Sequence, residues 1–115
     1  MERFVEQSLL YDFYGELLNE HQRRVYEDVV FNDLTLSEAA SEYNISRQGV
    51  SDMLKRINNS LKKYEDKLHL VEKFEDTKDK VREISDIADA MAQKQGSSDE
   101  IEKIRHLAKE IIEEF

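Results

Sequence analysis

The side chains best suited to bind a nucleic acid lie in one short stretch near the middle of the chain. Arg47 can form paired hydrogen bonds with guanine, Gln48 can do the same with adenine, and Ser51 can adapt to either base. Asp52 would repel a phosphate, so we expect it to accept from cytosine or to brace Arg56 four residues later. Lysines nearby would contact the phosphate backbone. The predicted nucleic-acid-binding residues are Arg47, Gln48, Ser51, Lys55, Arg56, Lys62 and Lys63.

Charge singles out the same stretch. The chain of 115 residues has a formal net charge of −9, which opposes non-specific attraction to nucleic acid. Between Tyr43 and Tyr64, however, five basic residues stand against Asp52 alone, a net charge of +4. A positive stretch on an acidic body is typical of a nucleic-acid-binding surface. Lysine and arginine also decorate ordinary solvated helices, so charge alone leaves both interpretations open.

Two short helices and a tight turn would hold these side chains in place. Thr35 and Glu38 form a capping box for a helix over 36–43, Asn44 suits a left-handed turn, and Ser46 caps the next helix. The inward positions of that next helix are Val50, Met53 or Leu54, Ile57 and Leu61. Caps, turn and apolar spacing agree on a helix-turn-helix, whose second helix can enter the major groove.

Two further helices are predicted before this motif. The first spans 2–18, with Gly15 indicating close packing or an early end. The second spans 20–31 and opens with a capping box between Asn19 and Gln22. The inward residues expected in the first helix are Phe4, Val5, Leu9, Tyr11 (or Leu10), Phe13 and Leu17. Those expected in the second are Val25, Val29 and Val30, with Tyr26 at an edge.

The motif carries a resemblance to known families. Residues 34–64 resemble region 4 of bacterial sigma factors, which reads promoter DNA. A closer resemblance is to the YlxM family, small helix-turn-helix proteins of Gram-positive bacteria. It runs through YDFYGELLNEHQ at 11–22, ISRQGVSDMLKR at 45–56 and LKKYEDKLHLVEKF at 61–74. This resemblance implies a regulator, linked by gene neighbourhood to the signal-recognition-particle GTPase and its receptor.

An apolar stripe continues beyond the motif. Its members are Leu61, Tyr64, Leu68, Val71 and Phe74, followed by Val81, Ile84, Ala88 and Met91. We expect a break near Asp76, a loop over 96–99, and a last helix that Ser98 or Asp99 caps and that ends at Phe115. The inward residues expected in the last helix are Ile101, Ile104, Leu107 (or Ala108), Ile111 and Ile112.

A stripe of this length on a small chain needs a surface to cover it. The chain could fold back on itself as a hairpin, or pair with a second copy. Because helix-turn-helix proteins commonly bind DNA as two-fold dimers, we predict a homodimer through the carboxy-terminal helices. The expected organisation is a helix-turn-helix domain over 1–64 and a helical extension over 65–115.

Composition bounds the remaining choices. The chain has no proline, three glycines and no cysteine, so an all-α fold without disulfides or thiol chemistry is expected. No run approaches the length of a membrane span, and a cytoplasmic protein is expected. Carboxylate pairs such as Glu75 and Asp79 are typical of solvated helix faces, and no metal-ligand spacing occurs. We therefore expect no enzyme activity and no cofactor.

Two functions follow from these residues. The first is a dimeric regulator that binds double-stranded DNA through the helix-turn-helix. The second is an adaptor that binds protein or structured RNA of the targeting pathway through the same helices. Because RNA duplexes hide the groove that a recognition helix would enter, an RNA partner would be bound through its backbone.

Overall fold

The computed structural model describes residues 3–114, and every regular element in that range is helical. The elements are α1 Arg3–Tyr14 with a 3₁₀ turn Gly15–Leu17, α2 Glu20–Tyr26 with a π-helical turn Glu27–Phe31, α3 Leu36–Tyr43, α4 Arg47–Leu68, α5 Leu70–Gln95 and α6 Asp99–Glu114. The all-α prediction is confirmed. The predicted helix ends at Glu2 and Phe115 lie outside the described residues.

The chain divides into two compact units, residues 1–71 and 72–115. The boundary expected from the sequence, after Tyr64, lies inside the first unit. The first unit contains the helix-turn-helix and the first two residues of α5, and the second contains the rest of α5 together with α6.

Two apolar clusters form the core of the first unit, and α4 contributes to both. The first cluster contains Leu10, Tyr14, Leu18, Tyr26, Ile57 and Leu61. The second contains Val25, Ala39, Ala40 and Val50. Since Val50, Ile57 and Leu61 are all fully buried, α4 is held along most of its length with one face inward. Its opposite face is therefore exposed to solvent.

The inward face predicted for α1 is wrong in part: Tyr11 and Phe13 are half-buried and pack against the core, but Tyr14, which is fully buried, was not among the residues expected inward. Leu10, Tyr14 and Leu18 are buried, whereas Phe4, Val5 and Leu17 are exposed. Of the predicted alternatives Tyr11 or Leu10, it is Leu10 that is buried. The physical reason is that the Tyr14 phenol finds polar partners inside, which lets a fully buried aromatic residue take the central position.

Tyr26 is fully buried, so its predicted place at an edge is also wrong. Its ring stacks on Tyr11 with centroids 5.2 Å apart, and its hydroxyl donates to Asn58 Oδ1 at 3.0 Å. Gly15 lies beside this stack, because a Cβ there would stand 3.0 Å from the Tyr11 ring. Both alternatives that Gly15 indicated, close packing and an early end, are present, and the α-helix stops at Tyr14 rather than at residue 18.

The break predicted near Asp76 is wrong, since α5 runs without interruption from Leu70 to Gln95. The chain breaks at His69 instead, where φ is 55° in the left-handed region. The first backbone donors of α5 find partners in the first unit. The N–H of Leu70 donates to the Tyr14 hydroxyl at 3.2 Å, and that of Val71 donates to Glu65 Oε1 at 3.0 Å. With these orphan donors satisfied, a new helix can begin at Leu70.

The second unit is a helical hairpin. Residues 96–98 connect its helices, and the Ser98 hydroxyl caps α6 by accepting from the N–H of Ile101 at 3.2 Å. Ile101 and Ala108 are buried as predicted, and Ile112 is half-buried. Ile104, Leu107 and Ile111 were expected inward and are exposed. The reason is geometric, because one neighbouring helix can cover only a narrow line of α6.

Candidate nucleic-acid interface

The turn between α3 and α4 has the geometry that the sequence predicted. Thr35 Oγ1 accepts from the N–H of Glu38 at 3.1 Å, and the Glu38 carboxylate accepts from the N–H of Thr35. The hydrogen bond that the N–H of Thr35 donates to this carboxylate holds the pKa of Glu38 below its usual value. Asn44 takes left-handed angles, φ 56° and ψ 46°. The Ser46 hydroxyl accepts from the N–H of Gly49 at 2.9 Å, which fixes the start of α4.

Small side chains allow the helices of the motif to cross closely. Ala39 and Ala40 of α3 are buried in one cluster with Val25 of α2 and Val50 of α4. Ile45 packs against this cluster from the turn itself, where its N–H donates to the carbonyl of Ala40 at 3.0 Å. The first turns of α4 are therefore anchored on α2 and α3, with little freedom to rotate about the helix axis.

The predicted contact residues lie on the outer side of α4. Ser51 is half-buried, and the other six predicted residues are exposed: Arg47, Gln48, Lys55, Arg56, Lys62 and Lys63. Successive residues of an α-helix are rotated by about 100°, so the exposed positions fall into three lines along the axis. The first basic line contains Arg47, Ser51, Lys55 and Lys62. The second basic line contains Arg56 and Lys63. A central polar line between them contains Gln48, Asp52, Asn59 and Asp66.

The structure thus separates the seven predicted residues. Four of them share the first basic line, two share the second, and Gln48 stands alone on the central polar line. Basic side chains on two flanks of a helix can each face one edge of a groove, while the middle faces its floor.

Gln48 and Asp52 are joined along the central polar line. The amide nitrogen Nε2 of Gln48 donates to Oδ1 of Asp52 at 2.9 Å. The expected brace between Asp52 and Arg56 is not formed within residues 3–114. Asp52 therefore orients the amide of Gln48, and among the described residues the second N–H and the carbonyl oxygen of that amide form no hydrogen bond.

Comparison with known proteins gives the family. The family model UPF0122, described as "Putative helix-turn-helix protein, YlxM / p13 like", matches residues 1–107. The chain belongs to this family. The resemblance to YlxM proteins is confirmed, and the family description names a helix-turn-helix rather than an enzyme activity.

Relatives of this chain are UPF0122 proteins of bacteria. One from Thermoanaerobacter sp. (strain X514) is 37% identical over 110 residues, covering 96% of this chain and 94% of the relative. One from Desulforamulus reducens is 39% identical over 114 residues, covering 98% and 96%. One from Caldanaerobacter subterraneus is 46% identical over 83 residues, covering 72% and 71%. No solved structure matches the chain.

The two arginines of α4 differ from other arginines of this family member. Arg24, Arg82 and Arg105 each form an ion pair with a carboxylate, at 3.0, 3.7 and 2.7 Å respectively. Within the described part of the chain, Arg47 and Arg56 form none. Their guanidinium groups keep all five donors available for a phosphate or a base edge.

One basic residue and one amide on the outer face of α4, Lys67 and Asn59, are not among the predicted contact residues. Lys67 is exposed and extends the second basic line four residues beyond Lys63, because α4 continues to Leu68. The predicted basic stretch ended at Tyr64, although the helix itself was expected to continue toward Asp76. Asn59 is exposed on the central polar line, and its position becomes evident once Val50, Ile57 and Leu61 define the inner face.

Other kinds of site find little support in this YlxM-like chain. No helix among the described residues is long and apolar enough to cross a membrane. No group of three histidine, cysteine or acidic side chains within residues 3–114 is placed to hold a metal ion.

Proposed function

We propose that the protein is a DNA-binding regulator that inserts the first turns of α4 into the major groove of duplex DNA. The observation that carries the proposal is the outer face of α4, where basic side chains that form no ion pair among the described residues stand on a helix whose inner face is locked in the core. A recognition helix needs this combination, because base readout requires donors held at fixed positions.

The first turn of α4 would read the bases. Arg47 can donate two hydrogen bonds to O6 and N7 of guanine. Gln48 has one N–H occupied by Asp52, which leaves its other N–H for N7 of adenine and its carbonyl oxygen for N6. Asp52 is then a positioning residue that selects one orientation of the Gln48 amide.

The later turns would bind the backbone. Lys55 and Lys62 lie on one flank of the helix, and Arg56, Lys63 and Lys67 lie on the other. Contacts of this kind fix the register of the helix on the duplex without carrying sequence information. They also release counterions, so the logarithm of the binding constant should fall by about 0.9 per phosphate neutralised for each tenfold rise in salt.

A salt titration tests this function. Binding of a duplex by the wild type should weaken steeply with salt, and Lys62→Ala should make the slope shallower by about 0.9 per bound subunit. Lys109→Ala is the matched control, because Lys109 is an exposed lysine of α6 in the second unit. A duplex affinity that does not change between low and high salt would contradict phosphate binding by α4.

We also propose that the protein works as a homodimer through its carboxy-terminal helices. Support comes from the second unit, where large apolar side chains of α5 and α6 remain exposed in the single chain. A dimer would present two copies of α4 to two half-sites. Sedimentation equilibrium at tens of micromolar should give the mass of a dimer, and a monomer at that concentration would contradict this.

A second function is favoured by the acidic residues on the outer face of α4. Asp52 and Asp66 stand on the central polar line, between the two basic lines. A surface of alternating charge also suits an adaptor that binds a protein or structured RNA. The family resemblance implies that such a partner would belong to the signal-recognition-particle pathway. Weak salt dependence together with binding to a protein or RNA of that pathway would favour the adaptor.

A further inference from the structure

The helical hairpin of the second unit leaves six large apolar side chains uncovered. Three lie on α5 and three on α6, and each exposes between 39% and 55% of its surface. They are Ile84, Ile87 and Met91 on α5, and Ile104, Leu107 and Ile111 on α6. Apolar side chains at this density on a small unit indicate a surface that binds another apolar surface.

All six side chains lie on one side of the hairpin. Val81 and Ala88 mark the covered side of α5, and Ile101 and Ala108 mark that of α6. Viewed down each helix from its amino end, the exposed apolar residues are rotated by about 90° from the buried residues. The direction of this rotation, relative to the direction of the chain, is the same in both helices. The two helices run antiparallel because a loop of three residues joins them, so equal offsets place both sets on the same side. We call this side the apolar face.

The salt bridge between Asp89 and Arg105 supports this assignment. Its atoms Oδ1 and Nε are 2.7 Å apart, and both residues are rotated from the buried residues of their helix in the opposite direction. The bridge therefore closes the opposite, polar side of the hairpin. It also fixes which residues of α5 and α6 stand at the same level.

The apolar face has the spacing of a helix-pairing seam with charged ends. Its α5 row is Lys80, Ile84, Ile87, Met91 and Lys94, and its α6 row is Glu100, Ile104, Leu107, Ile111 and Glu114. Both rows advance by steps of four and three, the repeat that keeps a seam straight in packed helices. Lysine closes both ends of the α5 row, and glutamate closes both ends of the α6 row.

Residues of opposite charge stand at the same height along the two antiparallel helices of the hairpin. Five residues outward from the salt bridge toward the loop, Lys94 of α5 stands level with Glu100 of α6. Nine residues in the other direction, Lys80 stands level with Glu114. Each level that ends the apolar face therefore carries a lysine on one helix and a glutamate on the other.

We infer that the apolar face is covered by the same face of a second copy, with α5 packed against α6 of the partner in an antiparallel four-helix bundle. This inference rests on the proposed dimer and specifies its interface. A two-fold axis parallel to the helices places α5 on the partner's α6 at equal levels. Lys94 then meets Glu100 of the partner subunit, and Lys80 meets Glu114 of the partner subunit.

The other symmetric arrangement is opposed by charge. A two-fold axis perpendicular to the helices would place α5 on the partner's α5 in opposite directions. Lys80 would then meet Lys94 of the partner subunit, and Glu100 would meet Glu114 of the partner subunit. Like charges at a helix interface disfavour a pairing, while opposite charges on the flanks select partner and direction. The six apolar side chains supply affinity, and the four charged ones select the arrangement.

Sedimentation equilibrium of charge variants tests this interface. Lys94→Glu and Glu100→Lys should each weaken dimerisation about tenfold, because the two-fold axis repeats every change and turns attraction into repulsion. The double variant Lys94→Glu with Glu100→Lys should recover the affinity of the wild type. Lys109→Glu, on the polar side, is the matched control and should leave the affinity unchanged. Far-UV circular dichroism should show the same helix content in all four variants as in the wild type.

Three outcomes would overturn the inference. A monomeric wild type would remove both the interface and the proposed dimer. A dimer that is unaffected by Lys94→Glu would place the interface elsewhere. A dimer that Lys94→Glu strengthens would indicate α5 against α5, because glutamate would then face Lys80 of the partner subunit. Since sedimentation uses no DNA, a dimer that selects no duplex would contradict only the DNA-binding proposal.

Discussion

The hydroxyl of Tyr14 donates a hydrogen bond to Glu65 Oε1 at 2.5 Å, joining α1 to the last turn of α4 across 51 positions of sequence. The same hydroxyl accepts from the N–H of Leu70, and the same carboxylate accepts from the N–H of Val71. Burial and the Glu65 hydrogen bond raise the pKa of the Tyr14 phenol. One buried side chain thus holds the point where α4 ends and α5 begins.

Tyr14→Phe should lower the free energy of unfolding by about 1–3 kcal/mol, because it removes the donor to Glu65 and the acceptor for Leu70 while keeping the buried ring. Tyr64→Phe is the matched control, since the Tyr64 ring packs near Tyr14 and no hydrogen bond of its hydroxyl forms within residues 3–114. Urea unfolding measures both. Equal losses in the two variants would show that the Tyr14 network contributes nothing specific.

Alkaline pH should weaken the helix-turn-helix through Tyr43. Its hydroxyl donates to Oδ2 of Asp28, and this hydrogen bond, with burial second, raises the Tyr43 pKa from 10.0 to about 12. A raised folded pKa contributes stability that is complete below pH 10 and is lost as pH rises through about 12. Unfolding measured between pH 9 and pH 12 (on the order of half-unit steps) should show this decline. Tyr43→Phe should flatten it, and an unchanged slope in Tyr43→Phe would assign the decline to other tyrosines.

The turn before α4 should tolerate glycine at position 44 but not alanine. Asn44 has φ 56°, a region that alanine enters at a cost of about 1 kcal/mol and glycine enters freely. Asn44→Ala should therefore lower the free energy of unfolding by about 1 kcal/mol, and Asn44→Gly should change it by less. Thermal unfolding followed by circular dichroism can compare the two. A less stable glycine variant would mean that the asparagine side chain, not the backbone angle, matters.

Asp52 should lower the affinity of the protein for DNA and raise its specificity for the base that Gln48 reads. Asp52→Asn removes a negative charge from the outer face but keeps an oxygen that can accept from Gln48, so all duplexes should be bound a few-fold more tightly. Asp52→Ala also removes the acceptor, so discrimination at the base read by Gln48 should fall as well. Competition between duplexes that differ at single positions separates the two variants. Identical specificity profiles would rule out a positioning role for Asp52.

Local signals explain why much of the helix-turn-helix could be predicted from the sequence. The Thr35 and Ser46 caps and the Asn44 turn each depend on residues within a few positions of one another, and all three are present in the structure. The bounds of α3 follow directly from them. Exposure of the basic side chains on α4 follows from the inward spacing of Val50, Ile57 and Leu61.

Features that depend on distant partners could not be predicted in this way. The face of α1 is set by Tyr14, whose polar partners lie more than 50 positions away, and nothing near Tyr14 indicates them. The break at His69 depends on the same partners, whereas Asp76 carried only a local capping signal. Lys67 was left out of the predicted site for another reason: it lay within the predicted helix, but the positive stretch was ended at Tyr64.

Selection from a pool of random DNA duplexes at low salt tests the central claim most directly. If α4 reads the major groove, the wild type should enrich a half-site, and Arg47→Ala should lose the preference at one position of it, where guanine is expected, by about 1–3 kcal/mol. Arg82→Ala is the matched control, because Arg82 is an exposed arginine of the second unit and pairs with Asp79. It should enrich the same half-site as the wild type. No enrichment by the wild type, or enrichment that Arg47→Ala leaves intact, would contradict base reading by α4.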